Sequence, residues 1–166
     1  MNNTLTTAYI GLGSNLESPV AQIKSARMAI LRLAGIEERA FSNLYASAPM
    51  GPQDQPEYVN AVMVIDTDLP PLELLHALQG IEKAHGRVRG NQRWGARTLD
   101  LDLLLYGDQQ IDLPELTVPH PGIAERPFVL YLLLECAPDL VIPGKGKVSE
   151  LLTQGPRAGL RLLELD

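Results

Sequence analysis

Two aspartates, Asp100 and Asp102, close the run R-W-G-A-R-T-L-D-L-D at residues 93 to 102. In an extended run side chains alternate between faces, so both carboxylates point the same way, about 6.6 Å apart along the chain. Hard oxygen anions at that spacing can share one or two magnesium ions. A D-x-D pair is short and common, and two solvated aspartates on an exposed strand face are the plain alternative. The neighbours tell against it. Leu99, Leu101, Leu103 and Leu105 mark the opposite face as the core side, while Leu104 and Tyr106 continue the aspartate face and partly cover it. Carboxylates beside apolar cover are costly unless paired or bound to metal.

Arginine supplies the complementary charge. Arg87, Arg89, Arg93 and Arg97 fall within eleven residues just before the aspartates, and Glu82 is the only acid between residues 74 and 99. A guanidinium is a planar, permanently charged fork that fits phosphate oxygens. Arginines without local acids, next to paired aspartates, make sense with magnesium and phosphate between them. Other candidates are weaker taken singly. Gln79 and Glu82 share a helix face, as ordinary surface residues do. His120 lies in a loop, T-V-P-H-P-G, six residues before Arg126. His76 and His85 read as helix surface. Tyr58, Asn60 and Phe128 suggest an apolar slot with one amide able to read a flat heterocycle, against a simpler role in core packing.

These residues need elements to hold them. Ala8 to Leu12 reads as a strand ending in the turn G-L-G-S-N. Ser18 and Pro19 open a helix through Ile23, Ala26, Ile30 and Leu33 that Gly35 stops. Ile36 to Ala46 reads as a second strand and Tyr58 to Asp66, rich in β-branched residues, as a third. Pro71 opens a helix through Leu74, Leu78 and Ile81 that Gly86 stops. Thr98 to Tyr106 is a fourth strand, closed by a turn at Gly107-Asp108. The order βαββαβ predicts an α+β fold with a ferredoxin-like split βαβ core, its helices on one face of an antiparallel sheet. A hairpin arm near Ile111, a helix from Pro127 to Cys136 and a short helix near Val148 follow. Two proline- and glycine-rich stretches, around Pro49 and from Gly86 to Arg97, are long enough to be binding loops or lids.

Composition bounds the partners. The 166 residues, 45% hydrophobic, fit one domain spanning 1–166. A net charge of −6 argues against a polyanionic partner and leaves the arginine run for a small anionic ligand. A single cysteine, Cys136, fits a reducing compartment. With no basic, apolar leader and no apolar run of membrane-spanning length, a cytoplasmic protein is expected.

Long stretches of the chain resemble one family. Y-I-G-L-G-S-N-L from Tyr9, P-M-G-P-Q-D-Q-P-E-Y-V-N-A from Pro49, R-W-G-A-R-T-L-D-L-D-L-L-L-Y-G from Arg93, and V-P-H-P with R-P-F at Arg126 are similar to the 6-hydroxymethyl-7,8-dihydropterin pyrophosphokinases of folate biosynthesis. The resemblance implies a three-layer αβα sandwich on a ferredoxin-like core. It implies transfer of the terminal pyrophosphate of ATP to the pterin hydroxymethyl group, with AMP released. It also implies two magnesium ions on Asp100 and Asp102. Gln79, Glu82, Arg89, Leu103, Thr117, His120 and Arg126 match positions that contact ATP. Ser47, Pro49, Met50, Tyr58, Asn60, Trp94 and Phe128 match the pterin pocket, and Arg87 and Arg97 match catalytic arginines of a closing loop. A monomer is expected.

Three departures stand out: Ala96 replaces a usual proline, Glu115 stands where some members place an arginine, and Pro121 where some place an aromatic residue. The rival readings are a magnesium-dependent nucleotidyl transferase and a single-stranded nucleic-acid binding module. Gly13-Ser14 and Asp100 sit in separate expected strands, against the first. The net charge and only eight aromatic residues weigh against the second.

Overall fold

The computed structural model describes residues 5–15, 18–47, 58–85, 99–123, 127–152 and 161–163. Its centre is β1, Thr6–Ser14, which pairs antiparallel with β4, Tyr58–Thr67, on one side and with β5, Leu99–Tyr106, on the other. β2, Ile36–Phe41, and β3, Tyr45–Ser47, both pair with β4, and β10, Arg161–Leu162, pairs with β3. The sheet runs β10-β3-β4-β1-β5, with β2 beside β4 and every pairing antiparallel.

Both faces of the sheet are apolar, and helices cover both. On the first face Ala8, Ile10 and Leu12 of β1, Ala61, Met63 and Ile65 of β4, and Leu99, Leu101 and Leu103 of β5 bury against α1, Pro19–Leu31, and α2, Pro71–Ala84. The helices contribute Ile23, Ala26 and Ile30, and Leu74, Leu78 and Ile81, at the three-and-four spacing that puts side chains on one stripe. On the second face Val62, Val64, Leu104 and Leu105 bury against Leu130, Leu132 and Leu133 of α3, Pro127–Cys136, and Val148 of α4, Val148–Leu151. Two small hairpins complete the chain: β6, Ile111–Asp112, with β7, Thr117–Val118, and β8, Val141–Ile142, with β9, Gly146–Lys147. Among the described residues no helix is long and apolar enough to cross a membrane.

Several expectations need correction. β1 does not turn at Gly11; it continues to Ser14 with both glycines paired on both sides. The expected strand from Ile36 to Ala46 breaks after Phe41. There the Ser42 hydroxyl accepts the Val62 N–H at 2.9 Å while the Ser42 N–H donates to the Val62 carbonyl at 2.9 Å, so one serine stands in for a step of the ladder. Ser18 adopts a left-handed φ of 57° and makes no side-chain cap, so α1 starts on Pro19, whose fixed φ suits the first turn. Gly35 does end that region: its φ is +78°, and a Cβ there would lie 2.0 Å from an Asp68 carboxylate oxygen. Gly86, expected to stop α2, lies outside the described residues.

The most consequential correction is a β-bulge. Tyr9 pairs with Leu105 but Ile10 pairs with Leu103, so Leu104 is an extra residue. Strict alternation puts Leu105 with the first-face leucines and Tyr106 with the aspartates. The bulge reverses both. Leu105 joins Leu104 under α3, and Tyr106 turns to the first face, where its hydroxyl donates to the Leu69 carbonyl at 2.5 Å.

Candidate active site

Register puts polar residues together at one end of the second face. Directly paired residues of antiparallel strands share a face, so Asn60, Gly13 and Asp100 form one row across β4, β1 and β5, and Val62, Gly11 and Asp102 form the next. Asp100 and Asp102 are half-buried on the same side of β5, as the spacing predicted. Tyr58 lies two residues before Asn60 and joins that face, with Ser47 of β3 its partner in register. The Asn60 amide is buried, and its Nδ2 donates to the Tyr45 carbonyl at 3.4 Å. Its Oδ1 is therefore turned toward β1, and a Cβ built on Gly13 would lie 3.5 Å from it.

Tyr45 is braced in turn. Its hydroxyl donates to Glu135 at 2.5 Å, the same carboxylate accepts the Asn43 N–H at 2.6 Å, and the Tyr131 ring meets the Tyr45 ring edge-on with centroids 5.6 Å apart. Burial is the main reason the Tyr45 phenol is pushed up, and the Glu135 carboxylate adds to it. Neither Tyr45 nor Glu135 stood out in the sequence.

A second depression lies around the outer edge of β5. It is a cleft of about 290 Å³ whose lining includes Gln79 and Glu82 of α2, Asp102 and Leu103 of β5, and Thr117 and His120 beyond the hairpin arm. Six residues singled out by type or by family resemblance thus converge on one space. Asp102 belongs to the face row and to the cleft, so the two regions meet at its carboxylate.

The edge of β5 is partly satisfied. The buried Glu82 accepts the Leu101 N–H at 2.8 Å, and the His120 N–H donates to the Leu104 carbonyl at 3.0 Å. With a period of two, the backbone of Leu103 points outward as that of Leu101 does, toward the cleft. A flat heterocycle could pair with such a backbone edge while lying against Leu75, Leu101 and Leu103. The helix-surface alternative for Glu82 is therefore set aside: the helix aims this carboxylate at a strand. His120 Nδ1 accepts the Gly122 N–H at 3.2 Å, which places the proton of the neutral ring on Nε2.

Around this site, His76 is exposed as expected, and its Nε2 meets Glu115 across the cleft rim at 3.0 Å. His85 is not plain surface. It is half-buried, with Nδ1 on the Ile81 carbonyl at 2.8 Å and Nε2 on the Ser25 hydroxyl at 2.9 Å, tying the end of α2 to α1. Arg87, Arg89, Arg93, Trp94, Arg97, Pro49, Met50 and Arg126 lie outside the described residues. Phe128 belongs to the first turn of α3.

Two carboxylates alternating along a strand, with a glycine beside each, offer hard oxygen donors with room around them. Among the described residues no cluster of three or more His, Cys, Asp or Glu forms. Two such carboxylates could hold magnesium, an ion that takes oxygen ligands and retains several waters.

Comparison with known proteins gives the family. The family model described as 7,8-dihydro-6-hydroxymethylpterin-pyrophosphokinase matches residues 9–138. The 2-amino-4-hydroxy-6-hydroxymethyldihydropteridine pyrophosphokinase of Haemophilus influenzae is 51% identical over 150 residues, covering 90% of this chain and 93% of that one. Its counterpart in Pseudomonas aeruginosa is 52% identical over 155 residues, covering 93% and 95%. Among solved structures, Plasmodium falciparum HPPK-DHPS with pteroate superposes with a TM-score of 0.71 at 13% identity, over 92% of this chain and 42% of that longer one, a likeness of fold alone. From the extent of the family match and the identity shared with relatives along nearly their whole length, we conclude that this chain belongs to the 7,8-dihydro-6-hydroxymethylpterin-pyrophosphokinase family.

Proposed function

We propose that this chain transfers pyrophosphate from ATP to the hydroxymethyl group of 6-hydroxymethyl-7,8-dihydropterin, releasing AMP, as a step of folate biosynthesis. The observation that carries the reading is the meeting of two differently shaped regions at Asp102: a polar row on the sheet face and a cleft around the sheet edge. A two-substrate transfer needs such a junction, with the acceptor on one side and the donor on the other.

On this reading the adenine lies in the edge cleft against Leu103, with Gln79, Glu82, Thr117 and His120 around the nucleotide. The pterin lies over Gly13, its amide edge toward Asn60 and its hydroxymethyl group toward Asp100. Tyr58 and Phe128 cover its rings, and Ser47, Pro49, Met50 and Trp94 complete the pocket. Asp100 and Asp102 would hold magnesium, two ions being expected, which neutralises charge on the triphosphate when bound. The hydroxymethyl oxygen attacks the β-phosphorus and loses its proton. The bond from the β-phosphorus to the oxygen bridging it to the α-phosphorus breaks, and that oxygen leaves with AMP. Arg87 and Arg97 would clamp the transferring group, while Arg89 and Arg126 contact ATP or its phosphates.

The strand order and the helices on both faces support reading the core as ferredoxin-like within a three-layer αβα sandwich. The continuous sheet supports a single domain, and a cytoplasmic monomer is the simplest setting. Incubation with ATP, magnesium and the pterin tests the function: AMP should form in equal amount to the pterin diphosphate. ADP would mean attack at the γ-phosphorus and would overturn the reading. Free pyrophosphate with an AMP-labelled acceptor would favour nucleotidyl transfer instead.

A further inference from the structure

The arm that walls one side of the edge cleft ends in a tight turn. Leu113 and Leu116 exchange both backbone hydrogen bonds, at 2.8 and 3.1 Å, so Pro114 and Glu115 form its tip. Pro114 fixes its own φ, and Leu116 is buried in the first-face core, so the tip is held from both sides. Glu115 is thus a carboxylate on a firm support. It lines the cleft, yet its side chain is 59% exposed. Its partner among the described residues is His76 of α2, whose Nε2 meets Oε2 across the mouth at 3.0 Å. An ionised carboxylate only accepts, so Nε2 carries the proton and Oε1 is left to accept from a ligand. An exposed pair of this kind adds little stability, so folding alone does not account for an acid at this place. A fixed negative charge at the mouth of a cleft for a polyphosphate is unfavourable unless it faces the uncharged part of the ligand.

We infer that Glu115 is a specificity-determining residue: its carboxylate, steadied by His76, accepts the sugar hydroxyls of the nucleotide in the edge cleft. ATP carries hydrogen-bond donors in two places only, the adenine amine and the ribose hydroxyls. The amine goes with the base to the cleft floor, against the buried Leu101 and Leu103. The triphosphate goes to Asp102, where the cleft meets the sheet face. The ribose joins the two and, as the most hydrophilic uncharged part, lies toward the mouth. A carboxylate there meets hydroxyls, with which it makes charge-assisted hydrogen bonds, and stands clear of the phosphates it would repel. An acidic side chain on a ribose hydroxyl is also how dinucleotide-binding folds read that sugar. His76 is a positioning residue, because its bond to Oε2 limits how the Glu115 carboxylate turns.

This inference rests on the reading of the edge cleft as the ATP site, and the experiment separates the two. Binding of ATP and of 2′,3′-dideoxy-ATP, which differ only in the sugar hydroxyls, is measured by calorimetry with magnesium and without pterin. Wild type, Glu115→Ala, Glu115→Gln and His76→Ala are compared. The readout is the ratio of the two affinities on one protein sample, so any change in the folded fraction cancels. Wild type should prefer ATP roughly fivefold or more, the scale of hydrogen bonds to a part-exposed charged group. Glu115→Ala should bring the two affinities within about twofold of each other, chiefly by losing ATP affinity. Glu115→Gln, which keeps an acceptor oxygen without the charge, should fall between, and His76→Ala should lose part of the preference. Equal binding of both nucleotides by wild type would overturn the inference while leaving the ATP reading intact. So would a Glu115→Ala that keeps the wild-type ratio, including one that binds both nucleotides more tightly, since the carboxylate would then only repel charge. Failure of wild type to bind either nucleotide would remove the ATP reading, and this inference with it.

Discussion

The second face of the sheet has two halves built on the same strands. In one, Val62, Val64, Leu104 and Leu105 are sealed under the leucines of α3. In the other, Asn60, Gly13, Asp100 and Asp102 present an amide, a gap and two carboxylates. Only one residue of β5, Leu103, separates Asp102 from Leu104. The difference teaches that one rigid element can serve as core and as site. The aliphatic half fixes the strands, and the polar half inherits that precision without having to supply its own stability. Mutations in the two halves should therefore fail in different ways.

The largest effect belongs to the polar half. Asp102→Ala should lower turnover on the order of a thousandfold, because its carboxylate borders both regions and helps fix the charge that offsets the developing phosphate charge. The melting temperature should hold or rise, since removing one of two neighbouring carboxylates relieves repulsion in the unliganded protein. Steady-state kinetics at limiting magnesium and a thermal melt decide it, and near-normal turnover would remove Asp102 from the chemistry.

Leu132→Ala, in the aliphatic half, should behave oppositely. Leu132 is fully buried under the sheet, and its truncation should cost about 2–5 kcal/mol of stability by urea unfolding. Below the melting transition, kcat/KM should stay within a few-fold of wild type. A large catalytic loss in well-folded protein would show that the halves are not separable.

The smallest effect is a pH dependence of the filled half. The Cys136 thiol, at the end of α3, donates to the Val62 carbonyl across 3.7 Å. Its pKa is pushed up to about 11, by burial first and by the neighbouring Glu135 charge second. An unfolded thiol ionises near pH 8.5, so between that pH and 11 the folded state retains a proton that the unfolded state has lost. Stability is therefore full below about pH 8.5 and falls as pH rises toward 11, by on the order of 1 kcal/mol. Urea midpoints measured across that range should show a slope that Cys136→Ser reduces; an unchanged slope would place its source elsewhere.

Much of this was legible in the sequence because the physics is local. The two amphipathic helices, the β-branched third strand and the shared face of Asp100 and Asp102 follow from periodicity alone. What was hidden depended on partners far along the chain. The bulge at Leu104 is invisible in L-D-L-L-L-Y, since every register of that run is apolar, and only its pairing with Tyr9 and Ile10 fixes which leucine is extra. Gly11 and Gly13 read as a turn because glycine is the commonest turn signal. The alternation Tyr9, Gly11, Gly13 against Ile10 and Leu12 was the available clue to an open strand face. Glu82 looked like helix surface because its partner, the Leu101 amide, lies 19 residues away.

That last bond has a consequence for the fate of the protein in a crowded solution. β5 is an outer strand of the sheet, and an outer strand exposes a row of backbone groups on which a second chain can add and aggregate. Here a buried carboxylate occupies the Leu101 amide, and the chain at His120 folds back onto the Leu104 carbonyl. An incoming strand would meet one position held by the Glu82 side chain and another already taken, with only the stretch around Leu103 between them. A gap that short cannot register a strand, yet it is long enough for one small heterocycle. The same edge can then stay open to a ligand while refusing another copy of itself.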